Sequence, residues 1–120
     1  MTAPLRLRNI PGMDRDDLIE WCRALASDKR IKVLEWLADP EKHFPPQRDG
    51  DLVKDGVCSL FIADKLGVSQ PTTSRHMKIL VQAGLVTAKA QKGWTFYRLD
   101  PKGMKVANRA LGSFLARPGG

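Results

Sequence analysis

Between Ser69 and Leu99 the chain carries five basic side chains, Arg75, Lys78, Lys89, Lys92 and Arg98, and neither Asp nor Glu. Among them stand Ser69, Gln70, Thr72 and Ser74, short polar groups suited to hydrogen bonding. Cations without intervening carboxylates suit a phosphate backbone, whose charge they neutralise as counterions leave. Gln can read adenine, and Arg guanine, through paired hydrogen bonds in the DNA major groove. This chemistry assigns base contact to Gln70, Thr72 and Arg75. Phosphate contact falls to Ser69, Ser74, Lys78, Lys89, Lys92 and Arg98. The preceding segment, Asp39 to Asp64, is opposite in sign, with six carboxylates against Lys42, Arg48 and Lys54.

Two helices and a hairpin are needed to position these groups. Ser59 is a candidate N-cap for a first helix with Ile62, Ala63 and Leu66 on its apolar face. Gly67 stands where a left-handed C-terminal residue is wanted. Ser69 can cap the second helix, with Pro71 in the first turn, where a missing N–H costs nothing. Thr73, Met77, Leu80 and Val81 then recur on one face, and Gly84 ends the helix. Helix, three-residue turn, helix is the spacing of a helix-turn-helix, whose second helix enters the major groove. Beyond it, Val86–Gln91 and Trp94–Leu99 flank Lys92-Gly93, a two-residue hairpin turn. Val57-Cys58 reads as a short strand pairing with the base of that hairpin. Strand alternation puts Trp94, Phe96 and Tyr97 on both faces. Packing is the first reading for these aromatics, and a partner subunit or DNA edge the second.

The run Gly-Val-Ser-Gln-Pro-Thr-Thr-Ser-Arg-His-Met-Lys-Ile-Leu-Val-Gln-Ala-Gly-Leu-Val (67–86) resembles the core of the ArsR-type bacterial winged-helix regulators. Ala-Leu-Ala-Ser-Asp-Lys-Arg-Ile-Lys-Val-Leu (24–34) is similar to the entry of that family's second helix. The resemblance spans about residues 15–115. It implies a mainly α fold with a small β hairpin, a winged helix-turn-helix whose terminal helices form a dimer interface. It also implies a sequence-specific regulator of double-stranded DNA, a homodimeric repressor. His76 matches a family histidine and sits beside the core-facing line, where a structural hydrogen bond to a neighbouring loop is expected.

At 120 residues the chain has room for one modest core. With 42% apolar and 28% charged residues it reads as globular, and its net charge of +7 calls for an anionic partner. No apolar run approaches membrane-spanning length, and the N-terminus lacks a signal peptide's apolar core, so a membrane partner is not expected. Cys22 and Cys58 are too few for a disulfide framework, which makes a reducing cytoplasm the expected setting.

Residues 1–13 read as an extended arm, 14–116 as the winged-helix domain, and 117–120 as a frayed tail. Asp14 is an N-cap candidate for a helix with the stripe Leu18, Trp21, Cys22 and Leu25. Ser27 opens a helix to about Ala38, with Ile31, Leu34 and Leu37 inward and Trp36 off that line, against a neighbouring element. Residues 39–57 hold three prolines, two glycines and eight charges, a composition that argues against any regular element. ArsR-type chains mostly cross this interval in far fewer residues. Here His43, Phe44 and Pro45-Pro46 offer a lid or partner contact, against a plain surface insertion. Asp100-Pro101 opens the last helix, striped by Met104, Ala107, Leu111, Phe114 and Leu115. The family resemblance makes Leu18, Trp21, Met104, Ala107, Leu111 and Phe114 the dimer interface.

Neither a nucleophile–base pair, nor paired carboxylates, nor a phosphate-cradling glycine loop is present, so no enzyme is expected. No cofactor is implied. Family metal sensors carry Cys-Val-Cys-Asp where this chain has Gly56-Val57-Cys58-Ser59. Others use an Asp-x-His pair and a later His or Glu on the last helix, and Asp100 to Gly120 holds neither His nor Glu. No metal is therefore expected at those positions, and Cys22 is expected to be packed. The alternatives are a thiol- or small-ligand-responsive sensor using Cys58 or the 39–57 loop, or a winged-helix protein-interaction module. Operator and effector are not legible.

Overall fold

The computed structural model describes residues 14–116 and Pro118. The expected arm, 1–13, and most of the tail lie outside the described residues. The elements run α1 (Arg15–Leu25), α2 (Asp28–Ala38), α3 (Pro40–His43), β1 (Val57–Cys58), α4 (Ser59–Leu66), α5 (Gln70–Gln82), β2 (Val86–Gln91), β3 (Trp94–Leu99) and α6 (Pro101–Leu115). Local chemistry sets most of these boundaries. Asp14, Ser27, Ser69 and Asp100 each accept a backbone N–H of the helix they open, satisfying a donor the helix cannot. Ser59 does not act as a cap. It is the first helical residue of α4, and Cys58 precedes it without a side-chain bond.

Three strands form one antiparallel sheet in the order β1-β3-β2. Val57 pairs with Tyr97 and Cys58 with Phe96, so β1 lies along the middle of β3. In the hairpin turn Lys92 has φ 52° and Gly93 φ 81°. Both central residues are left-handed, as a type I′ turn demands. Trp21, Val33, Leu34, Leu37, Ile62, Met77, Leu80, Leu85, Val86 and Tyr97 share one buried cluster among the helices and sheet. Helix α2 backs onto β3 and α5, α4 packs on α5, and α1 meets α6.

Several faces are turned differently from the sequence expectation. In α1 the buried line is Asp17, Trp21 and Ala24, while Cys22 is exposed. In α2 Ile31 is exposed, and Val33, Leu34 and Leu37 point inward. An apolar stripe broader than the contact it makes can rotate about either edge, and packing chooses which.

The 39–57 insertion is more ordered than its composition suggests. Pro40 opens the single turn α3, at a position where its missing N–H costs nothing. Phe44 is neither lid nor partner contact. It is buried in the core, edge-on to Trp36 at 6.1 Å between ring centroids, with Lys65 above both rings. A second turn at 51–55 is capped by Asp51, whose carboxylate accepts the Val53 and Lys54 amides. Those two bonds hold the Asp51 carboxyl below its ordinary pKa. Gln47 ties the segment to the sheet, accepting from the Cys58 amide at 2.6 Å and donating to the Gly56 carbonyl at 2.9 Å.

The insertion accounts for an aromatic the alternation rule would expose. Phe96 and Tyr97 are neighbours on β3, so one should face out, yet both are buried. Tyr97 joins the main core, and its desolvated hydroxyl has a raised pKa. Phe96, 1% exposed, lies on the opposite face beneath Gly50. There is no room for a side chain at Gly50, where a Cβ would meet the Phe96 ring at 2.8 Å.

Candidate nucleic-acid interface

Helix α5 has two unlike faces. Thr73, Met77 and Leu80 are fully buried, and the Thr73 hydroxyl donates back to the Ser69 carbonyl at 3.0 Å. On the other side Ser69, Ser74, Arg75 and Lys78 are exposed and Thr72 is half-exposed. Three of these groups are linked. Ser69 Oγ donates to Thr72 Oγ1 at 3.0 Å, and Arg75 Nη2 reaches the same oxygen at 3.5 Å. The hydroxyl at one turn thus orients the guanidinium at the next, since residues three apart stack on a helix surface. Gln70 Nε2 is enclosed at the start of α5 with no hydrogen-bond partner among the described residues. A buried donor left in that state is costly unless something else accepts from it.

The hairpin presents Lys92 at its exposed tip beside Trp94, 41% exposed. Lys89 and Arg98 sit lower on the wing and already have partners. Lys89 Nζ lies 2.7 Å from Asp55 Oδ1, and Arg98 Nη1 donates to the Lys54 carbonyl at 3.1 Å. The ammonium of Lys89 holds the Asp55 carboxyl below its usual pKa. Of the nine groups expected at DNA, six lie along α5 and three on the wing.

Residues 58–88, from the sheet entry through α5 into the wing, match the model of the bacterial regulatory protein arsR family. An uncharacterized HTH-type transcriptional regulator, YbzH, of Bacillus subtilis (strain 168) is 39% identical over 82 residues, covering 68% of this chain and 82% of that one. The chain belongs to the arsR family. A crystal structure of an ArsR family transcriptional regulator superposes with a TM-score of 0.63 at 15% identity, covering 88% of this chain and 98% of its own. A solution NMR structure from Mycobacterium bovis gives 0.55 at 24%, covering 89% and 90%. It is described as the homodimeric winged helix-turn-helix DNA-binding domain of a possible ArsR-family transcriptional regulator.

In this arsR-family chain helix α5 is held at its middle and at its C-terminal end by contacts from α2, α1 and α6. Arg30, buried on α2, donates from Nε to the Ala24 carbonyl at 2.8 Å and from Nη2 to the Arg23 carbonyl at 3.0 Å. It thereby closes the C-terminus of α1, where the helix dipole favours a cation. Its Nη1 is 2.9 Å from His76 Nδ1 on α5. The predicted structural hydrogen bond of His76 is present, and its partner is a helix rather than a loop. At the far end, Trp21 Nε1 donates to the Ala83 carbonyl at 3.1 Å. Gly103 of α6 packs directly on the Gly84 carbonyl, where a Cβ would overlap the oxygen. Only the run 24–34 hinted at Arg30, because a lone Arg in a helix otherwise reads as solvated.

Because a guanidinium only donates, His76 Nδ1 must accept, so the imidazole is neutral with its proton on Nε2. Burial lowers the His76 pKa below 6.5, and the positive charges of Arg30, Lys29 and Arg75 lower it further. The unfolded chain then binds more protons between the folded pKa and 6.5, so stability is fully present above 6.5 and is lost as pH falls. Thermal melts taken from pH 7.5 down to 5 should show a falling midpoint. In His76→Asn, which keeps an acceptor but cannot titrate, that slope should flatten. An unchanged slope would assign the acid sensitivity to other groups.

The residues expected at a dimer interface divide into two groups. Trp21 and Ala107 are buried within the protomer and unavailable to a partner, which corrects the interface that the family resemblance implied. Leu18, Met104 and Leu111 are half-buried, and Phe114 is exposed. Beside them Ile19 on α1 and Leu115 on α6, the latter 77% exposed, are bare. Cys58 is buried under the insertion and carries its amide bond to Gln47.

Proposed function

We propose that the chain is a homodimeric repressor that binds double-stranded operator DNA, with α5 reading bases and the wing tip holding phosphate. The observation carrying this reading is the two-sided α5. One face is sealed in the core, and the other aligns Ser69, Thr72 and Arg75 with Lys78 alongside. Gln70 Nε2, enclosed in the free chain, would have to turn outward to meet a base edge. Such a regulator works by binding rather than catalysis, in the cytoplasm beside its DNA. Two copies of α5 would enter successive major grooves about 34–36 Å apart on an imperfect palindrome.

Arg75→Ala should cost about 1–3 kcal/mol of binding and relax preference at one base pair. Lys92→Ala should weaken all sequences alike and lower the salt slope by about one. Selection of a duplex from a random pool, followed by salt titrations of both variants, checks this. Equal loss of sequence preference in the two would break the division between reading helix and wing.

Self-association is proposed through α1 and α6, on the apolar side chains that the protomer leaves bare. Ile19→Glu together with Leu115→Glu should convert the sedimenting species from dimer to monomer. A double variant that sediments as the wild type would place the interface elsewhere.

Regulation does not run through a metal at the family's thiolate position. Gly56 stands in place of the first cysteine with φ 104°, packed on the Tyr97 carbonyl, where a side chain would be both strained and obstructed. Near-stoichiometric zinc after chelator-free purification, with DNA binding dependent on it, would overturn this.

A further inference from the structure

The outer face of the wing is built against the chain's own acidic insertion. The register pairs Thr87 with Arg98, Lys89 with Phe96 and Gln91 with Trp94, which places all six on one face of the hairpin. The three long polar side chains there all bond to residues 49–55. Lys89 takes the Asp55 carboxylate at 2.7 Å. Gln91 donates to the Asp49 carbonyl at 3.0 Å, and Arg98 to the Lys54 carbonyl at 3.1 Å. Phe96, between them, is closed over by Gly50. Lys92, at the tip, has no such contact among the described residues.

The anion in this arrangement is fixed in place. Asp55 Oδ2 accepts the Asp51 amide at 2.8 Å, which turns Oδ1 toward Lys89. The turn carrying it is capped by Asp51 and closed by the Asp55 and Gly56 amides on the Asp51 carbonyl. A charge-assisted bond of this length has the geometry of a lysine–phosphate contact.

We propose that Asp55 stands in for a DNA phosphate on Lys89, and so sets both the affinity of the chain for DNA and its dependence on salt. The inference rests on the DNA-binding reading above. A cation that neutralises a phosphate releases about one condensed counterion, and that release drives binding at low salt. Lys89 is already neutralised and has nothing to release until Asp55 is displaced. The wing then acts through Lys92 at its tip and the uncompensated charge of Arg98.

The test is a double-mutant cycle on the full chain, with a mixed-sequence DNA duplex as probe and salt as variable. Asp55→Asn keeps the acceptor for the Asp51 amide and removes only the charge. It should steepen the salt slope by about one and tighten low-salt binding several-fold. In the Asp55→Asn background Lys89→Ala should abolish that gain and return the slope to the wild-type value, because the pair is then neutral with neither charge present. Circular dichroism melts establish that every variant is folded. Should Asp55→Asn misfold, Asp55→Ser, which also removes the charge and keeps an oxygen acceptor, should give the same steeper slope. If Lys89→Ala leaves the slope and affinity of Asp55→Asn unchanged, the gain did not come from freeing Lys89 and the proposal fails. It fails equally if Asp55→Asn folds and binds like the wild type. Absence of binding by every variant overturns the DNA-binding reading itself.

Discussion

Gly103→Ala should destabilise the protein by about 3 kcal/mol or more, the upper end of what overpacking costs, because the overlap cannot relax. The first turn of α6 rests on the backbone of Gly84, immediately after α5, and a methyl at Gly103 would coincide with the Gly84 carbonyl oxygen. Neither side can yield easily. Asp100 fixes α6 from below, its carboxylate accepting the Gly103 amide while its own amide donates to the Leu85 carbonyl at 2.9 Å. On the other side Ala83 is pinned by Trp21. Gly112, in the same helix, provides the contrast, since nothing lies within 4 Å of its Cβ position. Gly112→Ala should stabilise by about 0.4–1 kcal/mol through the unfolded chain. Urea denaturation measures both, as a shift in midpoint at constant m. Equal effects at the two glycines would show that the contact at Gly84 imposes no constraint.

Arg30→Ala should cost about 2–4 kcal/mol, from charge-assisted hydrogen bonds lost together rather than additively. Truncation leaves the Ala24 and Arg23 carbonyls at the end of α1 without their cation, and His76 Nδ1 without its donor. Arg30→Lys should recover little, because one ammonium cannot span three acceptors placed for a planar fork. The readout that separates positioning from bulk stability is DNA binding well below the melting temperature. With the Arg30 link from the end of α1 to the middle of α5 gone, a folded Arg30→Lys chain should tolerate altered half-site spacing better than the wild type. If it binds the native spacing with unchanged preference, Arg30 is a stability residue only.

The caps at Asp14, Ser27, Ser69 and Asp100, the Lys92-Gly93 turn and the helix-turn-helix spacing were legible in the sequence by itself. Each is decided by bonds within about four residues, so the local sequence contains both partners. The exposed polar line of α5 was legible for the same reason, because helical spacing alone brings Ser69, Thr72 and Arg75 into register. Tertiary structure decided the rest. Phe96 is buried because a segment some forty residues earlier in the chain lies over its strand, and alternation says nothing about what covers a face. Lys89 and Arg98 read as phosphate ligands by charge, and only the fold shows that the turn at 51–55 bonds them too, Lys89 through the Asp55 carboxylate and Arg98 through the Lys54 carbonyl. The family resemblance puts Trp21 at the dimer interface, whereas packing turns it inward, where its Nε1 donates to the Ala83 carbonyl. A hydrophobic pattern marks which side chains leave water, and only the assembled fold determines what they meet there.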